Sequence, residues 1–200
     1  MVRVGIIGLG GIARSHCDAI AGLDNVEIVA VADLLTEKRA EFMEKYNIPK
    51  GYETHTELLQ DRRVDAVAVV LGHQLHHQLT IDACNAGKHV LVEKPVAATI
   101  KEIEDIRNLA QEKQVVCIPG HNYVYEESLM RTRRLLCDGD LGRLVSVYVL
   151  YNIHHPEEVA RRYPGVIRQI LTHHSYILLF LAGAPRRCLL YTSPSPRDRG

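Results

Sequence analysis

The chain carries no excess charge of either sign: 24 lysines and arginines balance 24 aspartates and glutamates. Nothing in its composition therefore draws it to nucleic acid or to an acidic membrane surface. The one local basic run, Arg131, Arg133 and Arg134, falls near the end of a predicted helix, where cations complement the helix dipole. No apolar run is long enough to span a bilayer. Glycines interrupt the apolar start and no small-residue cleavage site follows, so it reads as a strand and not as a secretion signal. The five cysteines (Cys17, Cys84, Cys117, Cys137, Cys188) include no C-x-x-C pair and read as free thiols of a reducing cytoplasm. Eleven histidines include no spacing that marks a metal site, so no metal is expected. Internal repeats are absent as well.

What is present begins with Val2-Arg3-Val4-Gly5-Ile6-Ile7, a β-rich apolar run, followed at once by Gly8-Leu9-Gly10-Gly11-Ile12-Ala13. The second segment fits G-x-G-x-x-A, and residues 12–21 read as helix. Asp33 ends the next strand, 28–32, twenty residues beyond Ala13. A glycine motif between strand and helix, with an acid at this distance, is the fingerprint of a dinucleotide site. Gly8 permits the tight turn, Gly10 lets the backbone approach a pyrophosphate, and Ala13 lets helix and strand pack closely. The helix N-terminus offers free N–H groups to phosphates, Gly11 and Ile12 among them. The Asp33 carboxylate can accept from ribose hydroxyls, which favours NAD, with NADP as the alternative.

Strands and helices alternate to about Pro119. Residues 65–71 form a strand that is continuously apolar after Asp65, as expected where both faces are buried. A helix over 76–86 ends at Gly87, strand 89–93 leads into Lys94-Pro95, and Thr99-Ile100-Lys101-Glu102 is a capping box. The pattern predicts a doubly wound parallel sheet, a Rossmann domain, over residues 1–120. Beyond it the grammar changes: a helix over 125–137, a turn at 138–142, a long strand over 144–153 and a last helix over 166–182. These read as the start of an incomplete α+β open-faced sheet domain, 121–187, cut short near Ala184-Pro185. The Ser- and Pro-rich segment 188–200 resembles a translated sequencing adapter and is expected to be a non-native or disordered tail.

Two residues stand out for chemistry. Lys94 ends a parallel strand, where open α/β sheets bind ligands, and Pro95 restricts its backbone. His173 shares a polar stripe with Gln169 and Tyr176, as expected of a general base facing a cleft, whereas His174 falls on the apolar stripe of Ile167, Ile170, Leu171, Ile177, Leu178 and Leu181.

Together Gly8, Gly10, Ala13, Asp33, the run Ala86-Gly87-Lys88-His89-Val90-Leu91-Val92-Glu93-Lys94-Pro95 and Gly139-Asp140-Leu141-Gly142-Arg143-Leu144-Val145-Ser146 resemble the Gfo/Idh/MocA oxidoreductase family. The resemblance implies a Rossmann domain followed by an open-faced sheet domain. It also implies NAD or NADP, and hydride transfer at a hydroxyl-bearing carbon of a sugar, polyol or sugar derivative. It assigns catalysis to Lys94 and His173. His73, His76, Glu93 and Lys94 join the glycine turn and Asp33 as cofactor contacts, and Lys94, His121, Gln169 and His173 meet the substrate. The partner is then a small sugar-like molecule, without nucleic acid or membrane, in a cytoplasmic homo-oligomer. Gln169 and Tyr176 stand where relatives usually carry aspartates, and Leu71-Gly72-His73-Gln74 replaces a common Thr-Pro-Asn. The alternatives are a non-catalytic NAD-binding regulator on the same fold, or a lyase or hydrolase that uses bound NAD transiently.

Overall fold

A computed structural model describes residues 1–150, Glu157 and 170–189. The chain divides into two compact units, Met1–His121 and Asn122–Gly200.

The first unit alternates strands with helices: β1 (Val2–Ile7), α1 (Gly11–Ile20), β2 (Val26–Ala32), α2 (Thr36–Tyr46), β3 (Gly51–Tyr52), α3 (His55–Gln60), β4 (Ala66–Val69), α4 (His76–Asn85), β5 (His89–Val92), α5 (Ile100–Glu112) and β6 (Cys117–Pro119). Every strand pair is parallel, and the sheet order is β3-β2-β1-β4-β5-β6. The expected doubly wound sheet is present. Side chains alternate across it, so the core has two halves. Ile7, Ala32, Val67 and Val69 pack with Leu58, Leu79, Ala83 and Ala110. Ile6, Val31 and Ala68 pack with Ala13, Cys17 and Phe42. Helices therefore cover both faces, which is why β4 reads as unbroken apolar sequence. The Thr99 capping box closes as expected: its hydroxyl accepts from the Glu102 N–H, and Glu102 accepts from the Thr99 N–H. On α5, Ile106 and Ala110 are buried and Ile103 lies exposed.

Two side chains pin the lower edge of the sheet. Arg3 makes a two-pronged ion pair with Asp65, at 2.6 and 2.9 Å. The Lys88 ammonium is nearly buried and donates to the carbonyls of Asp61 and Val64.

In the second unit a short 3-10 turn (Asn122–Tyr125) leads into α6 (Glu127–Asp138), which stops at Gly139 in the left-handed region, φ 84°. A further helix, α7, spans Thr172–Ala182. The Arg133 guanidinium of α6 lies over the Phe180 ring of α7. The strand expected over 144–153 is not formed over its described part, 144–150. A strand needs a neighbour to take its N–H and C=O groups, and no strand lies among the described residues of this unit. The remainder of that segment, the first part of the last predicted helix, Gln169 and residues 190–200 lie outside the described residues. Among the described residues no helix is long and apolar enough to cross a membrane.

Candidate functional site

The strand order reverses between β1 and β4, which are adjacent in the sheet although the chain passes through β2 and β3 between them. Ligands of such sheets bind at this reversal, outside the carboxyl ends of the strands. The glycine turn stands there. Gly8 has φ +92°, and a Cβ on it would lie 2.4 Å from Leu71 Cγ, so only glycine fits. Gly10 is the N-cap of α1; no side chain caps the helix, no acid stands in its first turn, and a Cβ at Gly10 or Gly11 would meet nothing within 4 Å. An open helix N-terminus without a competing carboxylate suits a pyrophosphate. Ile12 lies exposed beside it and Ala13 is buried against the sheet. Asp33 folds back on the turn: Oδ2 accepts from the Leu9 N–H at 2.8 Å and Oδ1 from the Leu35 N–H at 2.9 Å. The carboxylate is thereby fixed next to the glycine turn. The residues fit a dinucleotide.

Lys94 follows β5 at the same edge of the sheet, and its peptide bond to Pro95 is cis. Glu93 is mostly buried. Its Oε1 lies 2.9 Å from His16 Nε2 on α1, and its Oε2 accepts from the Lys94 N–H at 3.1 Å. Burial works to raise the Glu93 carboxyl, but the His16 and Lys94 contacts outweigh it and hold the group below its ordinary range. Burial pushes the Lys94 ammonium down, and the Glu93 charge opposes that shift. His121 is pushed down in the same way, again against Glu93. One carboxylate thus faces three potential cations. A buried ammonium beside a fixed carboxylate can hold an oxygen of a bound molecule by hydrogen bond and charge. His16 belongs to no sequence motif. Its only signal was a polar residue on the inner side of α1.

His76, expected at the cofactor, is turned inward and is 1% exposed. Nδ1 lies 2.7 Å from the Pro95 carbonyl and Nε2 3.0 Å from the Leu71 carbonyl. Both ring nitrogens are occupied by backbone, so His76 braces the loops after β4 and β5. Its neighbour His73 is half-buried in the 3-10 turn His73–Leu75 that opens this segment.

In the second unit His173 and Tyr176 are the buried pair of α7, at 8% and 6% exposure, while Leu171 and Leu178 are each 38% exposed. The expected facing is therefore reversed for these residues: His173 and Tyr176 point inward with Ile170, and His174 is only half-buried. Burial is tolerated because the two side chains satisfy each other, His173 Nδ1 lying 2.5 Å from Tyr176 Oη, which also donates to Asn122 Oδ1 at 3.2 Å. Among the described residues no group of three His, Cys, Asp or Glu side chains could hold a metal ion.

Comparison with known proteins agrees with this geometry. Residues 2–121 match the Gfo/Idh/MocA family, described as an oxidoreductase family with an NAD-binding Rossmann fold. The chain is 28% identical over 142 residues to a myo-inositol 2-dehydrogenase of Thermotoga maritima, covering 71% of this chain and 42% of that protein. It is 30% identical over 188 residues to a 1,5-anhydro-D-fructose reductase of Ensifer adhaerens, covering 90% and 56%. The crystal structure of a scyllo-inositol dehydrogenase from Lactobacillus casei, with bound NAD(H) and scyllo-inositol, superposes with a TM-score of 0.67 at 24% identity, covering 71% of this chain and 42% of that one. The chain spans about half the length of the relatives it matches. With the glycine turn, Asp33 and the Lys94 strand end in place, the chain belongs to the Gfo/Idh/MocA family of NAD-binding Rossmann-fold oxidoreductases.

Proposed function

We propose that the protein is an NAD(P)-dependent dehydrogenase of a sugar, polyol or sugar derivative. The observation that carries this reading is the Asp33 carboxylate locked into an uncapped glycine turn, with Lys94 at the same edge of the sheet. The substrates named for the relatives, an inositol and an anhydro sugar, support the substrate class. Gly8, Gly10, Gly11, Ile12, Ala13 and Asp33 would hold the dinucleotide, with His73 and Glu93 beside it. When bound, the nicotinamide supplies the hydride acceptor or donor. Lys94 holds the reacting oxygen by its ammonium, which stabilises charge developing there. His173 takes the hydroxyl proton, and His121 and Gln169 orient the remaining hydroxyls. The same reading places the protein in the cytoplasm as a homo-oligomer with NAD favoured over NADP.

The test is made on the full-length gene product, with NAD affinity by calorimetry and turnover by formation of reduced nicotinamide from a panel of polyols and aldoses. Lys94→Ala and His173→Ala should each lower turnover by about 10²–10⁴-fold, the usual contribution of acid–base groups. Absence of NAD binding, or wild-type turnover in either variant, would overturn the reading.

A further inference from the structure

We infer that His16 is a positioning residue: through Glu93 it fixes the backbone at Lys94, so that one helix sets the place of both the cofactor phosphates and the lysine. The inference rests on the proposed roles of the glycine turn and of Lys94. The sheet ladder holds the chain as far as Glu93, whose N–H donates to the Val69 carbonyl at 3.0 Å. At the next residue a side chain takes over, and the Lys94 N–H donates to Glu93 Oε2 at 3.1 Å. A carboxylate can locate that N–H only if it is itself held. On one side Glu93 Oε1 meets His16 Nε2 at 2.9 Å. On the other, Gly120 packs so closely that a Cβ there would lie 3.2 Å from Glu93 Cα, Cδ and Oε1. Glu93 is held below the ordinary carboxyl range and is ionised at neutrality, so the proton between the two side chains sits on His16 Nε2. Such a bond is charge-assisted, and both partners are mostly shielded from water.

His16 stands on α1, which Ala13 and Cys17 pack against the sheet. The N-terminus of the same helix is the open end that suits a pyrophosphate. Past Lys94, the Pro95 carbonyl lies 2.7 Å from His76 Nδ1. The turn 93–95 is thus tied at both ends, and the His16 tie leads to the phosphate-binding helix. A helix that carries both contacts keeps their separation constant. A shift of about 1 Å between reacting groups can cost about 10²-fold in rate, so loss of His16 should show in the chemical step and not in cofactor binding.

Two measurements test this. In the full-length gene product, His16→Leu should lower kcat on a polyol about 10–100-fold while NAD affinity by calorimetry stays within about twofold. His16→Gln, whose amide can still donate to Glu93, should recover most of the loss. In the chain itself, labelled with ¹⁵N-lysine, the Lys94 signal is assigned by its loss in Lys94→Arg. Hydrogen exchange of the Lys94 amide should quicken about tenfold or more in His16→Leu and return toward the wild-type rate in His16→Gln. Glu93→Ala, which removes the acceptor, should quicken it too and carries the test if His16→Leu does not fold. A Lys94 amide that exchanges alike in wild type and variants, or a His16→Leu enzyme with weakened NAD binding and unchanged kcat, would overturn the inference. Full turnover in Lys94→Ala would instead defeat the proposed role of Lys94, while the exchange rates still decide whether His16 holds its backbone.

Discussion

Gly8 and Gly10 are two residues apart in one motif, yet substitution at each should fail in a different way. Alanine at Gly8 must accept φ +92°, which costs an L-residue about 1–2 kcal/mol. Its Cβ would also stand 2.4 Å from Leu71 Cγ and 2.6 Å from Cδ2, an overpacking that typically costs about 1–3 kcal/mol. The sum, roughly 2–5 kcal/mol, is a large part of the about 5–15 kcal/mol that holds a domain together. Valine at Gly10 meets extended backbone, φ −81° and ψ −171°, and no atom within 4 Å. Its cost to stability should stay within about 0.5 kcal/mol. It should nevertheless weaken NAD binding more than tenfold, about 1.4 kcal/mol, by filling the space above the helix N-terminus. The chain has no tryptophan, so unfolding in urea is best followed by far-ultraviolet circular dichroism, with NAD affinity measured by calorimetry. Adding Leu71→Ala to Gly8→Ala removes the clash but not the positive φ. The pair should therefore show a coupling energy of about 1–3 kcal/mol. An unchanged urea midpoint for Gly8→Ala, or wild-type NAD affinity for Gly10→Val, would refute the division of labour between these glycines.

Asp33→Ser should weaken NAD and lower the ratio of NADP to NAD dissociation constants, since the carboxylate that would repel a 2′-phosphate is gone; a wild type that already favours NADP contradicts this. Acid should destabilise the fold. The Arg3 hydrogen bonds hold Asp65 at about 2, and the Arg63 hydrogen bonds hold Asp61 well below its ordinary range. A depressed carboxyl contributes stability above its unfolded pKa and loses it as pH falls through the folded value, so urea midpoints should drop from about pH 4 downward, and less so in Asp65→Asn. Burial raises the Cys17 and Cys117 thiols to about 11, whereas Cys137 and Cys188 are exposed. Iodoacetamide at neutral pH should therefore label the exposed pair first, read by peptide mass spectrometry.

The first unit was legible because local signals and tertiary needs agree there. A strand buried on both faces must be apolar throughout, and residues 66–69 are. Thr99 and Glu102 close their box within four residues, so no distant contact is needed to see it. The glycine turn was readable for the same reason. What escaped depends on distance along the chain. His16 and Glu93 are 77 residues apart and meet only through the sheet. The inward turn of His76 follows from two carbonyls, at Leu71 and Pro95, that no periodicity reports. On α7 the apolar spacing favoured burial of His174, but the Tyr176 hydroxyl gave His173 a partner and reversed the facing. Apolar count cannot register a polar pair that satisfies itself. Residues 144–150 had strand character without a strand neighbour among the described residues, and propensity alone does not make a sheet.

The contact between His16 and Glu93 bears on how this domain can be re-engineered. The obvious cassette for altering cofactor preference is the stretch from Gly8 through α1, exchanged for the equivalent stretch of a relative. That cassette carries His16 with it. A donor sequence with an aliphatic residue at this position would leave Glu93 buried with Oε1 deprived of its donor, far from any residue that had been intentionally changed. Losing a charge-assisted hydrogen bond of this kind costs about 1.5–3 kcal/mol. The damage would be felt at Lys94, whose N–H shares the same carboxylate. Transplants that retain His16 should keep the lysine loop in register, and the seam between what is exchangeable and what is not therefore runs through the middle of α1.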